Sequence, residues 1–195
     1  MDDRHATTIF ELSNRILTLK LLPRTGWLQR GMSNVESIAE HTFAVASLAM
    51  FIGDLYPQLD RGKILAIAML HDMAESLVSD LPYSARRFFG SLVKQEAERK
   101  AMIELFQGLP QAEEYLDLWA EYTEGRSPEA RLVKLLDRME MLLQALAYER
   151  AGSRTMGEFW EMDDTDWSEE FPLVRSIFAN MVAARNKLSL MPASA

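Results

Sequence analysis

Apolar residues recur along this chain at the three- and four-residue spacing of amphipathic α-helices. The first such stripe contains Ile9, Phe10, Leu12, Ile16 and Leu19. No stretch shows the sustained alternation of apolar and polar residues that is typical of half-buried strands. The pattern therefore predicts an all-α fold, a helical bundle with helices at about residues 8–21, 38–56, 61–78, 91–106, 110–124, 128–148 and 169–188.

Polar residues at helix starts support several of these boundaries. Ser37, followed three residues later by Glu40, fits a capping box and opens the helix that carries His41. Glu40 is therefore better explained as a cap than as a ligand. Asp60 has the position of an N-cap before the next apolar run. Residues 24–27, after the first helix, are expected to form a loop.

The sequence predicts one domain over residues 1–195, because it contains no internal repeat and no low-complexity linker. The core is expected to span about 8–148. A polar stretch at 151–166 separates it from the C-terminal helix at about 169–188, and residues 191–195 are expected to be a loose tail.

Composition excludes several classes of function. The net charge is −8 and no cluster of Lys and Arg is present, so a nucleic acid polymer is not an expected partner. There are no cysteines, which excludes thiolate metal sites and cysteine nucleophiles and is compatible with a cytoplasmic protein. No apolar run is long enough to span a membrane, so no membrane association is expected.

The most unusual residues chemically are His71 and Asp72, which directly follow an apolar run ending at Leu70. Titratable side chains in the middle of a bundle cost free energy unless a partner compensates them. Glu75 lies four residues after His71 and is expected to share its side of the helix. Glu75 could instead pair with an arginine such as Arg86.

A second carboxylate, Asp137, lies within an apolar stripe of a later helix. It could pair with Lys134 or Arg138, or it could bind a metal ion. His41 adds an imidazole near a helix start, although a histidine there would more often bond to the backbone. His41 and Asp137 lie on different predicted helices from His71, and a bundle could bring all three helices together.

Two imidazoles and two carboxylates form a mixed nitrogen and oxygen ligand set. Such a set suits one divalent transition metal, Mn, Fe, Co, Ni or Zn, and leaves positions open for water and substrate. A metal of this kind can make water more acidic and polarise a phosphoryl oxygen.

The order of these residues, His41, then His71-Asp72, then Asp137, resembles the HD-domain metal-dependent phosphohydrolases. More narrowly, the chain is similar to the 5′-deoxynucleotidase subgroup. The resemblance spans roughly residues 12–146. The matching segments are Arg24-Thr25-Gly26-Trp27, Ile38-Ala39-Glu40-His41-Thr42, His71-Asp72-Met73-Ala74-Glu75, Ser79-Asp80-Leu81-Pro82 and Ser127-Pro128-Glu129-Ala130, the last running into Leu136-Asp137.

This resemblance implies a role for each matching residue of the site. His41, His71, Asp72 and Asp137 would hold the metal, which makes Asp72 part of the catalytic machinery. Glu75 would handle protons near the attacking water.

The resemblance also implies how the substrate is bound. Asp80 would contact the sugar, and Trp27 would pack near it and disfavour a 2′-hydroxyl group. Trp27 could equally cover the end of the bundle, and Asp80 could act as a turn former. In some family members an arginine directly precedes this tryptophan, but Gly26 occupies that position here. Arg24 or Arg30 would then bind the phosphate.

We therefore expect an enzyme that hydrolyses phosphomonoesters, with 2′-deoxyribonucleoside 5′-monophosphates as the favoured small-molecule substrates. The resemblance also implies a homodimer. One alternative is another HD-type reaction, performed by a phosphodiesterase or a hydrolase of a signalling nucleotide. A second alternative, from a different class, is a non-catalytic helical binding protein.

Overall fold

The computed structural model describes residues 3–161, 165, 167 and 169–189, without the side chains of Asp3, Tyr83, Arg86 and Ser189. The described residues form helices and connecting turns with one isolated β-bridge, so the all-α prediction is confirmed. The helices are α1 (Asp3–Thr18), α2 (Thr25–Leu28), α3 (Ile38–Gly53), α4 (Arg61–Leu70), α5 (Glu75–Val78), α6 (Tyr83–Phe89), α7 (Ser91–Phe106), α8 (Ala112–Glu124), α9 (Pro128–Arg150), α10 (Gly157–Glu161) and α11 (Pro172–Ser189).

The chain divides into two compact units, Met1–Val133 and Lys134–Ala195. The first unit contains α1 to α8 and the start of α9. Its core includes a cluster of buried side chains from the turn after α4 and from α4, α7 and α8: Leu70, Ala74, Ala101, Met102, Leu105, Phe106 and Trp119. Among the described helices, none is both long and apolar enough to cross a membrane.

Helix α3 begins with the predicted capping box, which is confirmed. The backbone N–H of Glu40 donates to Ser37 Oγ at 3.2 Å, and the backbone N–H of Ser37 donates to Glu40 Oε2 at 2.6 Å. Asp60 is likewise the N-cap of α4, because its Oδ1 accepts from the backbone N–H of Lys63 at 3.0 Å. These caps fix the starts of the two helices that lead to the candidate site.

The prediction of one helix over 61–78 is wrong. Helix α4 ends at Leu70, His71 is its C-cap, and a new helix begins at Glu75. The intervening turn is held by backbone bonds from Met73 N–H to the Leu70 carbonyl oxygen, 3.1 Å, and from Glu75 N–H to the Asp72 carbonyl oxygen, 3.0 Å. Hydrogen bonds to the residue three positions earlier, which make a tighter turn than the α-helix, are common where one helix stops and another starts. The metal-type residues therefore lie on a turn between two helices.

In the first unit, two short helices lie where no helix was predicted. Residues 24–27 were expected to form a loop, but α2 begins at Thr25. Helix α6 follows the break at Pro82, where the sequence favours a turn. The side chain of Arg86, the alternative partner of Glu75, lies outside the described part of the chain.

The second unit contains most of α9 together with α10 and α11. Arg185 on α11 donates from Nε to both carboxylate oxygens of Glu149 on α9, each at 3.0 Å. Trp167 stacks on Phe178 with a ring-centre distance of 4.2 Å. The stretch predicted as polar linker, 151–166, contains α10, and its remaining part lies partly outside the described residues. The predicted loose tail at 191–195 lies wholly outside them.

Candidate metal centre

His41 lies in the first turn of α3 and is fully buried. Its backbone N–H donates to the carbonyl oxygen of Ser37 at 3.0 Å, so the capping residue also anchors the backbone of His41. A fully buried imidazole needs polar partners, and its Nε2 atom faces two of them, His71 and Asp72. The capping box therefore places the first candidate ligand.

One edge of the imidazole of His71, the C-cap of α4, is fixed by a bond to its own helix. Its Nδ1 atom lies 2.7 Å from the carbonyl oxygen of Ala68, and because a carbonyl oxygen only accepts, Nδ1 must carry the proton. In the neutral imidazole the lone pair is then on Nε2, the atom that faces His41. A backbone bond of this kind is one of the usual ways in which proteins orient a metal-binding histidine.

Three potential ligand atoms converge on one point in the first unit. His71 Nε2 lies 3.3 Å from His41 Nε2, and Asp72 Oδ2 lies 3.4 Å from His71 Nε2 and 3.6 Å from His41 Nε2. Donor atoms bound about 2.0–2.2 Å from one tetrahedral ion are about 3.3–3.6 Å apart. The spacing of the three atoms therefore fits a transition metal, and both histidines are buried residues of the kind that can hold one.

The carboxylate of Asp72 also faces a cation. Arg24 Nη1 donates to Asp72 Oδ2 at 3.2 Å, and the two side chains are only 15% and 16% exposed. Burial of Asp72 works to raise the pKa of its carboxyl group. The two facing histidines, His71 most strongly, and Arg24 outweigh this effect and hold that pKa well below its ordinary value of 3.8. Asp72 is therefore ionised at neutral pH, as a metal ligand must be.

Glu75 begins α5 and is 2% exposed. Its Oε2 atom is buried and, among the described residues, has no hydrogen-bond partner. Burial raises the pKa of Glu75 well above its ordinary value of 4.5, and the charges of Asp72 and Asp80 add to this effect, while Arg24 and Lys94 oppose it. An unpartnered carboxylate oxygen beside the His–Asp cluster is suited to hold a water molecule.

Asp80 anchors the start of α2. Its Oδ2 atom accepts from the backbone N–H of Thr25 at 2.7 Å and from Thr25 Oγ1 at 2.9 Å. The preceding residue, Ser79, has a positive φ of 62°, which is uncommon for a residue with a side chain. Strained backbone of this kind is often found at functional sites. The Asp80–Thr25 contact holds the segment that carries Arg24.

Trp27 and Arg30 lie on either side of the end of α2. The indole of Trp27 is 1% exposed, and its Nε1 donates to Glu36 Oε1 at 2.8 Å. This environment favours the reading in which Trp27 covers the end of the bundle, while a contact with the sugar stays a prediction. Of the two arginines considered for the phosphate, Arg24 is the one that contacts the His–Asp cluster.

Asp137 lies on α9, in the second unit, and is half-buried. Of its two possible cationic partners, Arg138 donates from Nη2 to the carbonyl oxygen of Phe159 at 2.8 Å. Burial lowers the pKa of Lys134, and the charge of Asp137 opposes that shift. The ligand role of Asp137 stays a prediction.

Two residues near the cluster were missed from the sequence. The ring of Tyr122, on α8, contacts His71 edge-on with a ring-centre distance of 5.4 Å. Lys94, on α7, is an electrostatic neighbour of Glu75 and pairs with Glu98. Each lies more than fifteen residues from the His71-Asp72 motif, on a helix with no unusual composition, so no sequence signal connected them to it.

Comparisons with known proteins point to one family. A family model described as HD domain matches residues 16–175. The chain is 38% identical over 149 residues to the 5′-deoxynucleotidase hdd1 of Schizosaccharomyces pombe, a match that covers 72% of this chain and 73% of that protein. It is 39% identical over 141 residues to the 5′-deoxynucleotidase HDDC2 of Xenopus laevis, covering 70% and 67%.

The fold is also similar to that of a solved structure. The PH0347 protein from Pyrococcus horikoshii OT3 superposes with a TM-score of 0.79 and 34% sequence identity, over 90% of this chain and 99% of that one.

Proposed function

The chain belongs to the HD-domain family, and on that premise we propose that it hydrolyses 2′-deoxyribonucleoside 5′-monophosphates to nucleosides and phosphate. The observation that carries the proposal is the convergence of His41 Nε2, His71 Nε2 and Asp72 Oδ2 within 3.6 Å of one another in a buried site. The substrate class is supported by relatives that are named 5′-deoxynucleotidases and are 38% and 39% identical to this chain.

The proposed ligand set is His41, His71, Asp72 and Asp137, holding one divalent Mn, Fe, Co, Ni or Zn ion. Asp137 is included because it completes the order of ligands that resembles the family, and because it is a half-buried carboxylate on a helix whose neighbouring residues Val133 and Leu136 are fully buried. When bound, such a metal polarises a phosphoryl oxygen and makes water more acidic.

Arg24 is the proposed phosphate-binding residue, in preference to Arg30. Its guanidinium is largely buried and lies 3.2 Å from Asp72, so a phosphoryl group at the cluster would be within its reach. A guanidinium binds phosphate oxygens through two parallel N–H donors and stabilises the negative charge that builds up on them during transfer.

Glu75 is the proposed acid–base residue. Its raised pKa and its unpartnered Oε2 suit a group that orients water, accepts a proton from it and delivers a proton to the leaving 5′-oxygen. We keep Glu75 outside the ligand set, because a fifth protein ligand would begin to exclude water and phosphate.

Selection of the sugar is assigned to Asp80 and Trp27, by resemblance to the 5′-deoxynucleotidases. Asp80 Oδ2 is occupied by Thr25, which leaves Oδ1 as the atom proposed to accept from the sugar hydroxyl. Trp27 is buried, so it would act by fixing the shape of the sugar site rather than by offering a large open surface.

A nucleotide panel tests the substrate class. The protein, loaded with Mn²⁺ or Co²⁺, is incubated with matched deoxy- and ribonucleoside 5′-monophosphates, a cyclic dinucleotide and other signalling nucleotides, and released phosphate is measured. Faster release from the deoxynucleotides supports the proposal. Preference for a cyclic dinucleotide or a signalling nucleotide would favour the alternative HD-type reactions, and tight binding without turnover would favour a binding protein.

We further propose that the protein is a cytoplasmic homodimer. Dimerisation follows the family resemblance and is supported by three strongly exposed apolar side chains on or next to α3, namely Phe43, Phe51 and Leu55, each more than 60% exposed. The proposed location in the cytoplasm is supported by the absence of cysteines and by the proposed nucleotide substrate. Sedimentation of the purified protein tests dimerisation, and a monomer at micromolar concentration would contradict it.

A further inference from the structure

His71 depends on contacts outside its own helix for its orientation. It is the C-cap of α4, so the α-helical ladder does not continue past it to fix its surroundings. The bond from Nδ1 to the carbonyl oxygen of Ala68 fixes one edge of the imidazole but leaves the tilt of the ring open. The faces and the remaining edge of the ring must therefore be held by packing.

Two rings supply that packing. The ring of His41 contacts the imidazole of His71 with a ring-centre distance of 5.4 Å and an interplanar angle of 64°. The phenol ring of Tyr122 has the same distance and angle to the same imidazole. This T-shaped arrangement is one of the two that aromatic rings favour, the other being offset stacking. Of the two rings, only that of Tyr122 lies outside the proposed ligand set.

Helix α8 is itself held against α4, which makes Tyr122 a firm support. Trp119, one turn before Tyr122, is 4% exposed and packs in the same buried cluster as Leu70, the last residue of α4. Glu121, directly before Tyr122, forms an ion pair with Lys63 at the start of α4, with 2.7 Å between Glu121 Oε2 and Lys63 Nζ. The position of the Tyr122 ring is therefore tied to both ends of the helix that presents His71.

We propose that Tyr122 is a positioning residue that holds the imidazole of His71 in its metal-binding orientation. The inference rests on the proposed metal site and adds a residue that neither the sequence motif nor the HD-family ligand order contains. Hydrogen-bonding partners that orient a metal-binding histidine typically change metal affinity by about 10–100-fold when they are removed, and we take the same range for a partner that acts by packing. The flat, rigid ring is the feature required, so a phenylalanine should replace it.

The test measures cobalt binding by titration, with the visible absorption spectrum of bound Co²⁺ as a second readout. Tyr122→Leu is expected to weaken Co²⁺ binding about 10–100-fold and to alter the spectrum, while Tyr122→Phe keeps both close to wild type. If Tyr122→Leu fails to fold, Tyr122→Met offers a longer, more flexible side chain that adapts to the space without a rigid ring, and it is expected to give the same loss. Thermal melting in the presence of a chelator reports the stability of each metal-free variant.

Tyr115→Leu is the matched control, because Tyr115 lies on the same helix and packs against Phe106 instead, with a ring-centre distance of 5.2 Å. It is expected to lose stability without losing Co²⁺ affinity. Wild-type affinity in both Tyr122→Leu and Tyr122→Met would overturn the inference, as would an equal loss in Tyr122→Phe or Tyr115→Leu. His71→Ala separates this failure from failure of the metal site itself, since undiminished Co²⁺ binding in that variant would contradict the proposed ligand set.

Discussion

Replacing Glu75 with glutamine is expected to stabilise the metal-free protein and to slow the reaction. Both effects come from the same carboxylate, which is 2% exposed and, among the described residues, carries a buried Oε2 without a hydrogen-bond partner. Glutamine keeps the size and shape of the side chain but removes its negative charge. The substitution therefore separates the charge of Glu75 from its packing.

The structure indicates how large the stability gain of Glu75→Gln should be. An unsatisfied buried polar group costs about 1–3 kcal/mol, and more when it is charged. Because glutamine remains polar, we expect a gain of about 1 kcal/mol at pH 8, or about 2–4 °C in Tm for a chain of this length.

The pH dependence follows from the raised pKa of Glu75. The protonated carboxyl group is favoured in the folded state, so its stabilising contribution is complete below the ordinary pKa of 4.5 and is lost as pH rises through the folded pKa. The advantage of Glu75→Gln should therefore be near zero at about pH 4.5 and grow toward pH 8. The assay is thermal melting of both proteins with a chelator, because a bound cation would favour the charged carboxylate.

The catalytic effect is measured on the metal-loaded protein. General acid–base catalysis typically contributes about 10²–10⁴-fold, so kcat should fall by that factor while metal content and KM stay near wild type. Loss of metal would make Glu75 a ligand, and an unchanged kcat would remove it from the mechanism. A Tm difference that is constant with pH, or a destabilised mutant, would refute the account of its buried charge.

Three further predictions follow from named contacts. Trp27→Ala should lower the free energy of unfolding, measured by urea denaturation, by about 3–5 kcal/mol, because the indole is only 1% exposed. It should also reduce the ratio of kcat/KM for deoxynucleotides over ribonucleotides. An unchanged ratio would remove Trp27 from sugar selection. Ser37→Ala should cost about 0.5–2 kcal/mol by removing the cap of α3, with metal stoichiometry unchanged. Chelation of the metal should lower the free energy of unfolding by about 2.7 kcal/mol, relative to protein in a free metal concentration one hundred times the dissociation constant. Scanning calorimetry would detect this loss as a fall in Tm. An unaltered Tm after complete chelation would contradict metal binding by the folded state.

Much of the fold could be predicted because local signals agree with it. The capping box of Ser37 and Glu40 and the N-cap of Asp60 mark helix starts that depend only on nearby residues. The break after Leu70 could not be predicted, since the apolar pattern continues through residues 71–78 and does not show the backbone bonds that hold the turn. Helix α6 was missed for the opposite reason, because Pro82 just before it favours a turn.

Part of the candidate site could likewise be predicted from the sequence, and part of it could not. His71 and Asp72 could be identified because ionisable residues are unusual beside an apolar run, and the structure brings both to within 3.6 Å of His41. The proximity of Arg24 to Asp72 and the Thr25–Asp80 bonds join segments about fifty residues apart. Contacts of this range depend on how the helices pack, which no local pattern reports.

The most direct test of the central claim is the metal content of protein purified without a chelator, measured for the wild type and for His71→Ala and Asp137→Ala. We expect about one equivalent of a divalent transition metal in the wild type, and little metal and no phosphatase activity in either mutant. Glu75→Gln, measured alongside, should keep its metal. Full metal content together with full activity in His71→Ala or Asp137→Ala would contradict the proposed ligand set.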